Sequence, residues 1–127
     1  MLFAQETMPK NHRRFIDARE LEIEQPFISI EIIEYVPNSV VIKTILKKST
    51  GNINVISADS SEGLTEKTSP FDTFVQVIDG RIELVINEKI HSLGVGQSII
   101  IPAHANNYVR PNGRFKMLMT IIKSGYE

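Results

Sequence analysis

The side chains that could carry chemistry in this sequence are few and widely spaced. The histidines are His12, His91 and His104, separated by 79 and 13 residues, and there is no cysteine. These separations differ from the i, i+4 spacing of paired metal-binding histidines on a helix. The absence of cysteine excludes disulfides, thiolate zinc sites, iron–sulfur clusters and thiol catalysis. Any site must therefore be assembled from residues that lie far apart in the sequence.

Lys67 and His104 each admit two interpretations. Lys67 is either a solvated loop lysine or a cation at the mouth of a pocket, where it would bind a carboxylate, phosphate or acidic sugar. A desolvated lysine could also act as a base or nucleophile, which we rank below ion pairing. His104 is either an exposed turn residue or a polar gate near the pocket mouth. Asp72 is interpreted as a turn residue, because no partner acid or base can be placed beside it.

Composition limits the class of protein. The chain has 127 residues, with 14 lysines and arginines against 15 aspartates and glutamates, and a formal net charge of −1. Such a balance argues against a dedicated nucleic-acid binder or a polybasic membrane binder, so neither partner is expected. No stretch has the length of a membrane span or of a signal-peptide core, which favours the cytoplasm. The length suits one domain with a substantial hydrophobic core.

The elements that must position the candidate residues are predicted to be β-strands. From residue 40 onward, short apolar or alternating runs recur between turn residues, a pattern typical of strands. The predicted strands are Val40–Leu46, Asn52–Ala58, Thr73–Ile78, Arg81–Ile86, His91–Leu93, Ser98–Ile101, Asn107–Arg110 and Phe115–Lys123. Asp79-Gly80 and Asn87–Lys89 predict tight turns. Many short strands without a long helix indicate an all-β sandwich or barrel.

The first 25 residues differ from the rest and predict an N-terminal arm. Residues 1–14 are polar without a clear period, whereas Phe15–Gln25 is compatible with one or two helical turns. Phe27–Val36 is either a strand or a buried helical turn, because short apolar runs do not decide between them. Apolar residues such as Phe15 and Leu21 favour docking of the arm on the barrel or on a partner subunit. We therefore expect an arm at 1–25 and a barrel domain at 26–127.

Two glycine-bounded segments carry a more specific pattern. One ends at Gly80, in SPFDTFVQVIDG, and the other begins at Gly96, in GQSIIIPA, so that the two glycines enclose 15 residues. Together with the later segment RFKMLMTIIK, this frame resembles the cupin superfamily, in particular small single-domain bacterial members that are mostly uncharacterised. The resemblance covers Val40 to Lys123. It implies a cupin-type jelly-roll barrel, also called a double-stranded β-helix, and commonly a homodimer.

The resemblance also implies where metal ligands would lie, and this sequence replaces all of them. The first motif of the family has His-x-His followed by Glu, and these positions hold Lys67, Ser69 and Thr73. The position of the third histidine holds Asn107, and His104 replaces a glycine of the second motif. Transition-metal sites favour imidazole and carboxylate ligands. We therefore expect no metal at these four positions and no cofactor.

The leading hypothesis is a metal-independent cupin that binds a small polar or anionic molecule in its barrel. Strand alternation predicts that Thr73 faces the interior together with Val75 and Val77. The predicted ligand-binding residues are Lys67, Ser69, Thr73, Asn107 and His104.

Three alternatives remain. The first is a metal-independent isomerase or epimerase that uses Lys67, Asp72 and His104, for which an acid and a base should lie within hydrogen-bond reach of one pocket. The second is a non-catalytic structural or regulatory module, for which the barrel should be filled by its own side chains. The third is a metal site rebuilt around His104 or Asp72.

Overall fold

The structure is a computed structural model that describes residues 2–4, 13–59, 67–110 and 113–125. The strands of this part of the chain are β1 (Leu2–Ala4), β2 (Arg13–Asp17), β3 (Ser39–Lys48), β4 (Gly51–Ala58), β5 (Asp72–Gly80), β6 (Ile82–Ile86), β7 (Lys89–Leu93), β8 (Ser98–Ile101), β9 (Asn107–Arg110) and β10 (Phe115–Ile122). Strands β3 to β10 correspond one to one with the eight predicted strands. The prediction of an all-β fold is therefore confirmed. Among the described residues, no helix has the length and apolar character needed to cross a membrane.

The strands form two sheets that enclose one core. The large sheet has the order β1-β2-β3-β4-β10-β5-β8, and the small sheet has the order β7-β6-β9. All pairings are antiparallel except that of β2 with β3, which is parallel. Buried side chains from both sheets meet in one hydrophobic cluster. This arrangement is a jelly roll, in which the chain crosses between the two sheets from β5 to β6, from β7 to β8, from β8 to β9 and from β9 to β10.

Strand alternation determines which side chains reach the interior. The buried residues of β5 and β9 are Thr73, Val75, Val77, Asn107 and Val109. Phe74 lies between two of them and keeps 37% of its surface exposed. Because successive side chains of a strand point to opposite faces, Phe74 lies on the outer face of the large sheet. The inward direction predicted for β5 is confirmed.

The two predicted turns have different structures. Asn87 and Glu88 both have positive φ, 48° and 71°, which is the conformation of the two-residue turn that joins hairpin strands such as β6 and β7. Gly80 also has positive φ, 75°, but here the chain leaves the large sheet for the small one instead of forming a hairpin. A Cβ at this position would lie 2.2 Å from the Arg114 carbonyl oxygen. The corner therefore requires glycine.

The helical turns predicted within Phe15–Gln25 are wrong. The segment contributes to β2, which pairs in parallel with β3 from Arg13–Ser39 to Asp17–Lys43. The Asp17 carboxylate also accepts a hydrogen bond from the Lys43 ammonium at 3.1 Å. This long-range pairing outweighs the weak local preference of an acidic segment for helix. In Phe27–Val36, only Ser29–Glu31 is regular, as one turn of 3-10 helix.

The segment that contains this 3-10 turn covers one half of the outer face of the large sheet. The Lys116 ammonium of β10 donates to the Ile30 carbonyl at 2.8 Å, and the Ser57 hydroxyl of β4 donates to the Glu34 carbonyl at 2.9 Å. The Tyr35 hydroxyl donates to the Asp79 carboxylate at 2.5 Å. These bonds satisfy polar groups that would otherwise be buried without partners. The other half of the outer face, around Phe74, is left open.

Candidate functional site

Among the described residues, inward-facing side chains enclose a small cavity inside the barrel. It is lined by Lys67, Val75, Leu84, Ile101, Asn107, Tyr108, Val109, Met117 and Met119. Its volume is about 10 Å³, which is room for about one water molecule. Pockets that hold small molecules usually measure about 300–1,000 Å³. In the described part of the chain, the barrel interior around this cavity is therefore filled by its own side chains.

Lys67 and Asn107 meet at the polar end of this cavity. Each backbone N–H donates to the other residue's carbonyl at 2.9 Å, which forms an isolated antiparallel bridge beside β9. The Asn107 side-chain amide donates to the Lys67 carbonyl at 3.3 Å and to the Ala105 carbonyl at 3.2 Å. Both amide hydrogens are thereby used within the protein. Asn107 consequently fixes the backbone at the cavity rather than offering these donors to a ligand.

The Lys67 side chain lies at the cavity mouth, where the residue retains an exposed surface. Water therefore reaches the side chain from the open side. Atoms of the barrel nevertheless surround the ammonium, and this desolvation lowers the pKa of Lys67. The nearby positive charge of Arg14 lowers it further. Sequence reasoning missed Arg14, because only the long-range pairing of β2 with β3 brings it here.

The other predicted ligand-binding residues do not line the cavity. Ser69 has a structural role: its hydroxyl accepts the Phe71 N–H at 3.1 Å, and its carbonyl accepts the His104 N–H at 2.6 Å. Thr73 is buried in β5, between the neighbouring strands β10 and β8. His104 is exposed and has a positive φ of 70°. Of the five, the structure thus brings only Lys67 and Asn107 together at the cavity, and it pairs Ser69 with His104 outside the cavity lining.

The residues of the predicted enzyme do not converge either. One Asp72 oxygen accepts the Ala103 N–H at 2.8 Å, and Asp72 borders the outer face of the large sheet. His104 lies outside the cavity lining, so Lys67 is the one member of the three at the cavity. Apart from Lys67, the described lining of the cavity contains one ionisable side chain, that of Tyr108. His91 lies on β7, and His12 falls outside the described residues.

The four positions that hold metal ligands in cupins do not fit a metal in this chain. Lys67 and Arg14 place positive charge at the cavity mouth, Asn107 uses its amide on carbonyls, and Ser69 and Thr73 offer only neutral hydroxyls. Within the described ranges, no group of three or more histidines, cysteines or acidic residues is placed to hold a metal ion. The donor set therefore supports no metal-dependent step.

Comparisons with solved structures identify the fold. A conserved protein of unknown function from Streptococcus pyogenes superposes with a TM-score of 0.78 at 20% identity, over 86% of this chain and 96% of that one. A cupin superfamily protein from Desulfitobacterium hafniense gives 0.77 at 23% identity, over 84% and 97%. A cupin 2 conserved barrel domain protein from Leptotrichia buccalis gives 0.71 at 27% identity, over 74% of this chain and 46% of that one. No family profile and no curated protein matches the sequence.

Proposed function

We propose that this chain, which has the cupin fold, is a non-catalytic, metal-independent module that acts through contacts between protein surfaces. The observation that carries the proposal is the filled barrel, whose cavity of about 10 Å³ holds no substrate-sized molecule. The replaced ligand positions support the metal-independent part. Asp72 and His104 lie outside the cavity lining, which favours the module over an isomerase or epimerase that would use them with Lys67.

The open half of the outer face supplies the proposed contact surface. Phe74, Ile100 and Ile122 come from the neighbouring strands β5, β8 and β10 and keep 37%, 64% and 52% of their surfaces exposed. Asp72 and Thr120 complete a shallow groove around them, with a volume of about 420 Å³. A contiguous apolar patch is unfavourable in water and often marks an interface.

We propose a second copy of this chain as the occupant, which makes the module a homodimer. Two copies related by a two-fold axis would place this apolar patch of one copy against the same patch of the other, with no need for charge complementarity. Strand β8 also forms the edge of the large sheet at this patch, so its outer backbone groups are available to a partner strand. The formal net charge of −1 adds little repulsion between copies.

Sedimentation velocity on the wild type and two matched variants tests this proposal. Ile100→Lys places a charge in the patch, whereas Ile90→Lys places the same charge on β7, where Ile90 is 54% exposed. We expect a wild-type dimer, a dissociation constant raised about tenfold or more by Ile100→Lys, and a dimer unchanged by Ile90→Lys. A wild type that stays monomeric at high concentration, or equal effects of the two variants, would contradict the homodimer.

A second candidate function is binding of a small polar or anionic molecule, which the position of Lys67 favours. Because the interior is filled, such a molecule would be held at the mouth of the barrel rather than inside it. Of the predicted ligand-binding residues, Lys67 would make the contact, and Asn107 would hold the backbone that carries it.

We also propose that the boundary between arm and barrel lies near residue 25. Strand β2 of the arm extends the large sheet through β3, and the segment after residue 26 covers the outer face before the barrel strands begin. The arm would then complete the barrel's open side. Docking of the same arm on a partner subunit is the alternative arrangement.

A further inference from the structure

Two cations from distant parts of the chain lie near each other at the open side of the barrel. Arg14 lies in β2 directly beside Val40 of β3, and Val40 belongs to the hydrophobic core. Paired residues of parallel strands point to the same face of a sheet. The Arg14 side chain is therefore on the inner face, and after desolvation its positive charge is the second cause of the lowered pKa of Lys67.

Neither cation is neutralised by the part of the chain that the structure describes. The Nε of Arg14 is buried without a hydrogen-bond partner. The ion pairs of the described residues involve Asp17, Glu83 and Asp59, and none of them includes Arg14 or Lys67. Two like charges in a partly desolvated site repel each other, and a buried donor without an acceptor is unfavourable. An anion between them would remove both penalties.

We propose that Arg14 and Lys67 together bind the oxyanion head group of a small molecule, a carboxylate or a phosphate, at the mouth of the barrel. Arginine presents a planar fork of donors that matches such groups, and lysine adds a mobile point charge. The cavity behind them holds about one water molecule, so the remainder of the molecule would lie outside the barrel. This inference rests on the second candidate function and adds the chemical class of the ligand and a second residue.

Titration with inorganic phosphate and with succinate tests the inference. Thermal unfolding and calorimetry are measured against sodium chloride at equal ionic strength, so that general salt effects cancel. The variants are Lys67→Met and Arg14→Gln, with Arg14→Lys as the conservative variant and Lys89→Met on β7 as the control. Circular dichroism verifies that each variant is folded. Sedimentation of the same samples shows whether dimer formation fails independently of anion binding.

We expect saturable stabilisation by at least one of the two anions beyond the chloride control. Lys67→Met and Arg14→Gln should each weaken binding about tenfold or more, Arg14→Lys should retain part of it, and Lys89→Met should leave it unchanged. The stronger of the two anions identifies the head group. The absence of saturable stabilisation overturns the inference, because the cations would then be neutralised within the protein. Binding that survives both variants overturns it as well, since the anion would then be bound elsewhere.

Discussion

The inner and outer faces of the large sheet differ sharply although they alternate along the same strands. Inside, the side chains of both sheets leave about 10 Å³. Outside, the segment around Ile30 and Tyr35 covers one half of the face, and a groove of about 420 Å³ remains over the other half. Among the described residues, the groove on the outer face therefore offers more free space than the cavity inside the barrel.

This difference means that the fold of the chain does not by itself imply a binding site inside the barrel. A barrel that keeps a metal or substrate needs polar residues directed into free space. In this chain Met117 and Met119 occupy the interior, and methionine side chains fill irregular space well. Two polar residues of the inner face, Asn107 and Thr73, are themselves buried. Fold and function must therefore be argued from different residues.

The largest expected contrast is between one phenylalanine on each face. Phe115 is 1% exposed and belongs to the core, whereas Phe74 is 37% exposed on the outer face. We expect Phe115→Ala to lower the free energy of unfolding by about 3–5 kcal/mol, because it removes a large buried side chain and leaves a cavity. Phe74→Ala should cost less than about 1 kcal/mol in the monomer. Urea denaturation measures both.

Measuring the stability of both variants at several protein concentrations makes this comparison more informative. If the outer face is the dimer interface, the cost of Phe74→Ala should rise with protein concentration, while the cost of Phe115→Ala should not. Equal losses for the two variants at low concentration would show that the outer face is packed as tightly as the interior. The distinction between a filled interior and an open exterior would then be wrong.

The strand pattern was predictable because its signals are local. Alternation sets the inward face of β5, and turn residues such as Gly80 and Asn87 end the strands. The parallel pairing of β2 with β3 was not predictable, since it joins segments that are far apart in sequence and is reinforced by the ion pair between Asp17 and Lys43. An acidic segment alone gives no indication of that partner.

The candidate site was predictable only in part, for a related reason. The resemblance placed Lys67 and Asn107 at equivalent ligand positions, and the structure pairs them. It gave no indication that the Asn107 amide is used by two carbonyls or that Arg14 reaches the mouth. These features depend on which backbone groups need partners and on strand pairing across the sheet. Residue type and spacing carry neither kind of information.

On the covered half of the outer face, we expect a loss of stability of intermediate size. Burial and the hydrogen bond to Asp79 raise the pKa of Tyr35 above its ordinary value of about 10. Tyr35→Phe removes this bond and should lower the free energy of unfolding by about 1–2 kcal/mol at neutral pH. Equilibrium unfolding of both proteins between neutral and alkaline pH measures the effect.

The pH dependence distinguishes this hydrogen bond from simple packing. Because the folded protein holds the Tyr35 proton more tightly than the unfolded chain, the contribution is fully present below about pH 10 and is lost as the pH rises above it. Wild-type stability should therefore fall more steeply above that pH than the stability of Tyr35→Phe. Parallel curves for the two proteins would show that the bond to Asp79 does not set the protonation of Tyr35.

The smallest expected effect concerns His104, in the turn between β8 and β9. Its φ of 70° is a conformation that glycine adopts without strain and that other residues adopt at a cost. His104→Gly should raise the free energy of unfolding by up to about 1 kcal/mol, because relief of strain slightly exceeds the added flexibility of the unfolded chain. His91→Gly, in β7, should instead destabilise the protein.

Since His104 does not line the cavity, phosphate and succinate affinity should be unchanged in His104→Gly. A loss of affinity without a loss of stability would return His104 to the binding site and move the mouth of the barrel toward this turn.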